Sequence, residues 1–147
     1  MMETTLRWKQ GMSFDGGTEK HTVTMDAKTP IGRGEGLTPK ELVVLGLAGC
    51  TAMDVSAWMK KNKQDVQSFE IQSSVETSTS GHPSVFTKAV LHFRLTGSIQ
   101  SEILKEAVEL SQTKYCGVSA MLSKAFPIEY IVDLNGETIA QGEAKFL

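Results

Sequence analysis

The stretch LTPKELVVLGLAGCTAMDVSAWMKK, Leu37 to Lys61, decides how the rest of the chain is read. Its first residues carry a complete helix start. Thr38 is an N-cap acceptor, Pro39 has the fixed φ that suits the first helical position, and Glu41 can reach back to the cap. A helix is predicted from there to about Lys61. From Leu42 to Met53 it is apolar nearly all round, which predicts a buried central helix, not a surface one. That apolar run is too short to cross a bilayer core of roughly 30 Å. Gly46, Ala48, Gly49 and Ala52 are small. A glycine inside a helix costs about 1 kcal/mol relative to alanine, so close approach of another helix or a ligand is the expected compensation.

Upstream of this helix the chain reads as β. Thr4 to Gly11 is strand-like, Phe14-Asp15-Gly16-Gly17 reads as a turn, and His21 to Asp26 alternates as a second strand. A glycine-rich loop, Thr29 to Gly36, follows and contains Arg33. Downstream, Phe69, Ile71 and Val75 alternate with Glu70, Gln72 and Glu76, and Ala89, Leu91, Phe93 and Leu95 alternate with Val90, His92 and Arg94. Ser78 to Ser84, with Gly81 and Pro83, should join these two strands as an antiparallel hairpin. A helix is expected from about Ser98 to Thr113, with Ile103, Ala107 and Leu110 on its apolar face. A short helix should start near Cys116 and end before Pro127. Ile128 to Leu134, Asn135-Gly136 and Glu137 to Gln141 read as a terminal hairpin.

The 147 residues fit one domain, 1–147. A net charge of -2 without any long run of one sign lacks the basic footprint of a nucleic-acid binder. The first dozen residues mix Glu3, Arg7 and Lys9 and contain no apolar stretch, so a soluble, cytoplasmic protein without a signal peptide is expected. Two cysteines are too few for a disulfide-stapled secreted domain. In a reducing compartment they serve either core packing or redox chemistry.

Each cysteine has two readings. Cys50 lies well inside the long helix, where a small core hydrophobe is the commoner role. The helix dipole does not reach it, and Asp54 on the same face opposes a thiolate, so a reactive Cys50 needs an outside cation. Arg33 and Lys40, which precede it in the chain, are the candidates. Cys116 stands at the N-terminus of the short helix, a position that lowers a cysteine pKa. It is on local grounds the more acidic thiol, or else simply a weak cap. Nothing in the spacing of the two shows that they meet.

Other chemistries find little support. There is no CxxC or HExxH motif, and His21, His82 and His92 are scattered, the last two at positions expected to be solvated. Gly32-Arg33-Gly34-Glu35-Gly36 lacks the flanking strand and helix of a phosphate loop. Met53, Trp58, Met59 and Met121 fall on helices and read as core or dimer packing, with an apolar substrate pocket as the alternative.

The segments Leu37-Thr-Pro-Lys-Glu-Leu42, Gly46-Leu-Ala-Gly-Cys50 and Tyr115-Cys-Gly-Val-Ser119 together resemble the osmotically inducible protein C and organic hydroperoxide resistance family (OsmC/Ohr). The order of elements and the spacing of the cysteines match over essentially the whole chain, and Gly32-Arg-Gly-Glu35 looks like the OsmC-like branch. The resemblance implies an α+β fold in which antiparallel sheets wrap two central helices of an intertwined homodimer, with active sites at the subunit interface. It implies a cysteine-based reductase of organic hydroperoxides, with hydrogen peroxide a further substrate, that uses no cofactor. Cys50 would be the peroxidatic thiol and Cys116 the resolving one, which reverses the local argument. A dithiol, of lipoyl type in the best-known members, would restore the pair. Arg33 resembles the family arginine that stabilises the thiolate. The glutamate that orients it directly follows the motif proline in hydroperoxide reductases; here that place holds Lys40 and the acid is Glu41, about 100° further round the helix. Two other readings keep the same fold: a non-catalytic stress-response or apolar-ligand-binding protein, and a dithiol protein acting on another electrophile.

Overall fold

The helix start at Thr38 forms as its residues dictate. In a computed structural model describing residues Met1–Leu147, the Thr38 N–H donates to Glu41 Oε1 at 2.9 Å and the Glu41 N–H donates to Thr38 Oγ1 at 3.2 Å. This reciprocal pair satisfies two of the donors that any helix N-terminus leaves free.

The elements in chain order are β1 (Thr5–Gln10), β2 (Ser13–Gly17), β3 (Thr22–Met25), α1 (Pro39–Lys61), β4 (Asp65–Thr77), β5 (Phe86–Ser98), α2 (Ser101–Leu110), a π-turn (Ser111–Tyr115), α3 (Gly117–Leu122), β6 (Ile128–Leu134) and β7 (Glu137–Glu143). Contacts divide the chain into two compact units, Met1–Val44 and Leu45–Leu147, with α1 beginning in the first and continuing in the second.

The first unit holds an antiparallel sheet in the order β1-β2-β3. Phe14 to Gly17, expected as a turn, lies within β2, where Phe14 pairs with Trp8 on one side and Met25 on the other. The reversal falls earlier, with Gly11 at φ +56°, a conformation glycine adopts without steric cost.

The second unit is a four-stranded sheet in the order β4-β5-β6-β7. The β4–β5 and β6–β7 pairs are the expected antiparallel hairpins, and the latter turns on Asn135 and Gly136, both at positive φ. β5 and β6 are parallel, with Phe93 opposite Val132, which corrects the expectation of wholly antiparallel sheets. The intervening helices supply the long connection that a parallel pair needs.

Strand alternation then builds the core. Ala89, Leu91, Phe93 and Leu95 of β5 and Ile128 and Val132 of β6 are buried on one face. Leu47, Val55 and Met59 of α1 and Leu104, Ala107 and Val108 of α2 join them in a single apolar cluster. Full burial of such a side chain is worth about 1.5–3 kcal/mol. Phe93→Ala should therefore cost about 3–5 kcal/mol in urea unfolding. A loss below 1 kcal/mol would show that the two helices do not seal this face.

Two helix expectations need correcting. α1 is buried along one stripe only, Leu47, Ala48, Thr51, Val55 and Met59, while Leu45 and Met53 are 57% and 75% exposed. At 23 residues α1 is also long and apolar enough, by length and composition alone, to cross a membrane. Its stripe shares the apolar cluster with the sheet, as a core helix does. The helix predicted over 98–113 is regular only for Ser101–Leu110 and then widens into the π-turn.

Candidate active site

Cys116 is delivered by that change of pitch. Its N–H donates to the carbonyl of Ser111 at 2.9 Å, an i→i−5 bond that closes the π-turn. The next residue begins α3, so Cys116 becomes its N-cap, with extended backbone at φ −74° and ψ 103°. Its Sγ accepts the Ser119 N–H at 3.3 Å. The cap reading is thus correct, yet Cys116 has a second neighbour: the side chain of Cys50 on α1 lies near enough to act on its thiol. Both cysteines are free thiols; Cys116 is fully buried and Cys50 half-buried.

The electrostatics reverse the local expectation for Cys116. Burial pushes its thiol up to about 11, because an apolar setting penalises the thiolate. Ser119 opposes this, and the neighbouring Cys50 adds to it. The Ser119 hydroxyl is fully buried and lies outside hydrogen-bond geometry, which leaves its opposition incomplete. A helix N-terminus of six residues does not offset full burial.

Two results should follow. With Cys50→Ser, the remaining thiol should resist alkylation at neutral pH and become reactive only far into the alkaline range; rapid neutral-pH labelling would contradict the burial argument. The raised value also has a sign for stability. The folded state holds this proton more tightly than the unfolded chain, so the contribution is complete below the ordinary thiol value of 9.0 and is lost as pH climbs toward 11. The urea midpoint should fall over that range more in the wild type than in Cys116→Ala.

Around the pair lies a buried polar network that sequence reasoning missed. Thr51, Ser111 and Gln112 are fully buried, and Thr51 Oγ1 and Ser111 Oγ are 2.7 Å apart. Ser111 Oγ donates to Asp54 Oδ2 at 2.8 Å, and Gln112 Nε2 donates to Thr51 Oγ1 at 2.9 Å. Asp54, expected only to oppose a thiolate at Cys50, is therefore engaged by Ser111. The one signal for the network was the polar run Ser111-Gln112-Thr113 where the apolar face of α2 stops.

Arg33 and Glu41 lie in the first unit and do not pair there. Arg33 Nη1 is 3.7 Å from Glu35 Oε1, with its side chain 68% exposed. Glu41 serves the capping box and sits 4.0 Å from Lys28 Nζ. Hydrogen bonds from Thr38, followed by the Lys28 charge, hold its carboxyl below the usual range. The Arg33 loop is organised instead by Asp26, whose buried carboxylate accepts the N–H groups of Ala27, Arg33 and Glu35 at 2.7, 3.3 and 3.1 Å. A side chain at Gly32 would collide with Ala27 and Asp26.

The histidines divide. His21 and His82 are exposed, but His92, expected to be solvated, sits between Asp133 Oδ2 at 2.7 Å and Arg94 Nη2 at 3.1 Å. Nowhere do three or more His, Cys, Asp or Glu side chains cluster as a metal ion would require. Met59 is core, while Met53 and Met121 are exposed. A shallow hollow of about 180 Å³ lies between Ala48, Gly49 and Ala52 of α1 and Phe69, Glu70 and Ile71 of β4.

A thiol on a long helix meeting a buried thiol at the cap of a short one defines an α+β dithiol protein. The profile of the OsmC-like protein family matches residues 32–131, and the chain belongs to that family. It is 33% identical over 131 residues to protein YhfA of Escherichia coli, covering 88% of this chain and 95% of that one. An OsmC-like protein from Mycoplasma pneumoniae has the same fold at a TM-score of 0.78 and 17% identity, over 90% of this chain and 95% of its own. An organic hydroperoxide resistance protein from Legionella pneumophila, also described as a predicted redox protein, superposes with a TM-score of 0.60 at 18% identity, over 91% and 97%.

Proposed function

We propose that the protein reduces organic hydroperoxides by thiol chemistry at Cys50 and Cys116. The observation that carries this reading is the proximity of the two free thiols, near enough for Cys50 to act on Cys116. Membership of the OsmC-like family and the shared fold of a hydroperoxide resistance protein support it.

The raised Cys116 value supports a division of roles in which Cys116 is the second thiol to react. A thiol that stays protonated at neutral pH is a poor first nucleophile, so the attack falls to Cys50. Its thiolate takes the terminal peroxide oxygen, the O–O bond breaks, and the alkoxide leaves and collects a proton as the alcohol. Cys50 is then a sulfenic acid. The Cys116 sulfur attacks the Cys50 sulfur, its proton departs with the hydroxide as water, and the disulfide forms. A dithiol donor reduces that disulfide by exchange and is itself oxidised. Arg33 is the cation this reading places on the Cys50 thiolate; Glu35, its partner here, takes the orienting role expected of Glu41. The test is hydroperoxide consumption with lipoyl and thioredoxin-type donors. Turnover no faster than with free cysteine would end the reading.

The working form in this proposal is a homodimer joined through α1. Its open face carries Leu45 and Met53, and nothing in the chain approaches the Cβ positions of Gly46 and Gly49. A second copy would supply the close neighbour that those glycines lack. Met53→Glu should then weaken the dimer by about tenfold or more in sedimentation, since it buries an unpaired charge. A wild-type monomer at micromolar concentration would contradict this.

A further inference from the structure

The polar network beside the cysteines is directional. Asp54 as carboxylate only accepts, so the Ser111 hydroxyl proton is committed to it at 2.8 Å. Thr51 must then donate to Ser111 across the 2.7 Å contact, and Gln112 Nε2 donates to Thr51. The chain of donors runs Gln112, Thr51, Ser111, Asp54, and ends on a charge, the arrangement in which such bonds are strongest.

Its members sit beside the two cysteines in the chain. Thr51 follows Cys50 on α1, and Asp54 lies one turn further along the same helix. Ser111 opens the π-turn, and its carbonyl accepts the Cys116 N–H at 2.9 Å. The π-turn is the segment whose pitch sets where Cys116 points. Thr51, Ser111 and Gln112 are fully buried, and Gln112 Oε1 has no partner at all. A buried polar network that is not fully satisfied is a weak source of stability, so geometry is its better explanation.

We infer that Thr51 and Ser111 are positioning residues that hold the π-turn against α1 and so keep Cys116 Sγ within reach of Cys50 Sγ. They act on closure of the disulfide, the second step of the proposed cycle, and not on peroxide attack. The inference rests on the reading of Cys50 and Cys116 as a redox pair, but it is tested without peroxide.

The measurement is equilibration of the Cys50–Cys116 disulfide with glutathione, read by acid quench and mass. Thr51→Val keeps the shape and removes the hydroxyl; Thr51→Ser keeps the hydroxyl. The effective concentration of the thiol pair should fall at least tenfold in Thr51→Val, about 30 mV for a two-electron couple. Thr51→Ser should restore the wild-type value. Ser111→Ala should repeat the loss, and it carries the comparison if Thr51→Val does not fold. Equal values in wild type and Thr51→Val, or equal losses in the valine and serine variants, would overturn this inference alone. A wild-type pair that never closes would overturn both it and the redox reading.

Discussion

Cys50→Ser should reduce hydroperoxide consumption to background, a loss on the order of 10³-fold or more, as expected when the nucleophile of a covalent mechanism is removed. The fold should survive. Cys50 is half-buried and replaces no member of the apolar cluster, so the substitution changes little beyond the sulfur. Cys116 does not take over, because burial holds its thiol near 11. Retained turnover in Cys50→Ser would move the chemistry away from the α1 thiol.

Cys116→Ser should separate the two steps. The first equivalent of peroxide is still consumed, and Cys50 then stalls as a sulfenic acid that a sulfenic-acid-trapping reagent captures. Steady-state turnover with a dithiol donor should fall by about 10²-fold or more, since the intramolecular partner is lost and with it the high effective concentration of a held thiol. Unimpaired cycling would show that an external thiol resolves Cys50 directly and that the buried partner has another purpose.

Much of this was legible from local chemistry. The capping box at Thr38 and Glu41 and the Asn135-Gly136 hairpin each depend on neighbours a few residues away, and both formed as read. The misreadings involve distant partners. Gly16 and Gly17 looked like turn residues, yet they sit in β2, paired with β1 and β3. The parallel β5–β6 pairing joins strands separated by two helices, and no local signal encodes it. The apolar circumference of α1 predicted burial that one chain does not provide. At the site, Glu41 serves the capping box that its place after Thr38 and Pro39 predicts, and Glu35 lies 3.7 Å from Arg33. The π-turn has no local signal, because α2 keeps its apolar spacing up to Leu110, and Ser111 finds its partner Thr51 60 residues away on α1.

Disulfide closure requires one sulfur to find the other. Reduced protein treated with one equivalent of an organic hydroperoxide, quenched with an alkylating agent and digested, should yield a Cys50–Cys116 cross-linked peptide and an equivalent of alcohol. Cys50 oxidised to sulfinic acid while Cys116 remains free to alkylate on unfolding, or a protein unchanged by the peroxide, would contradict it.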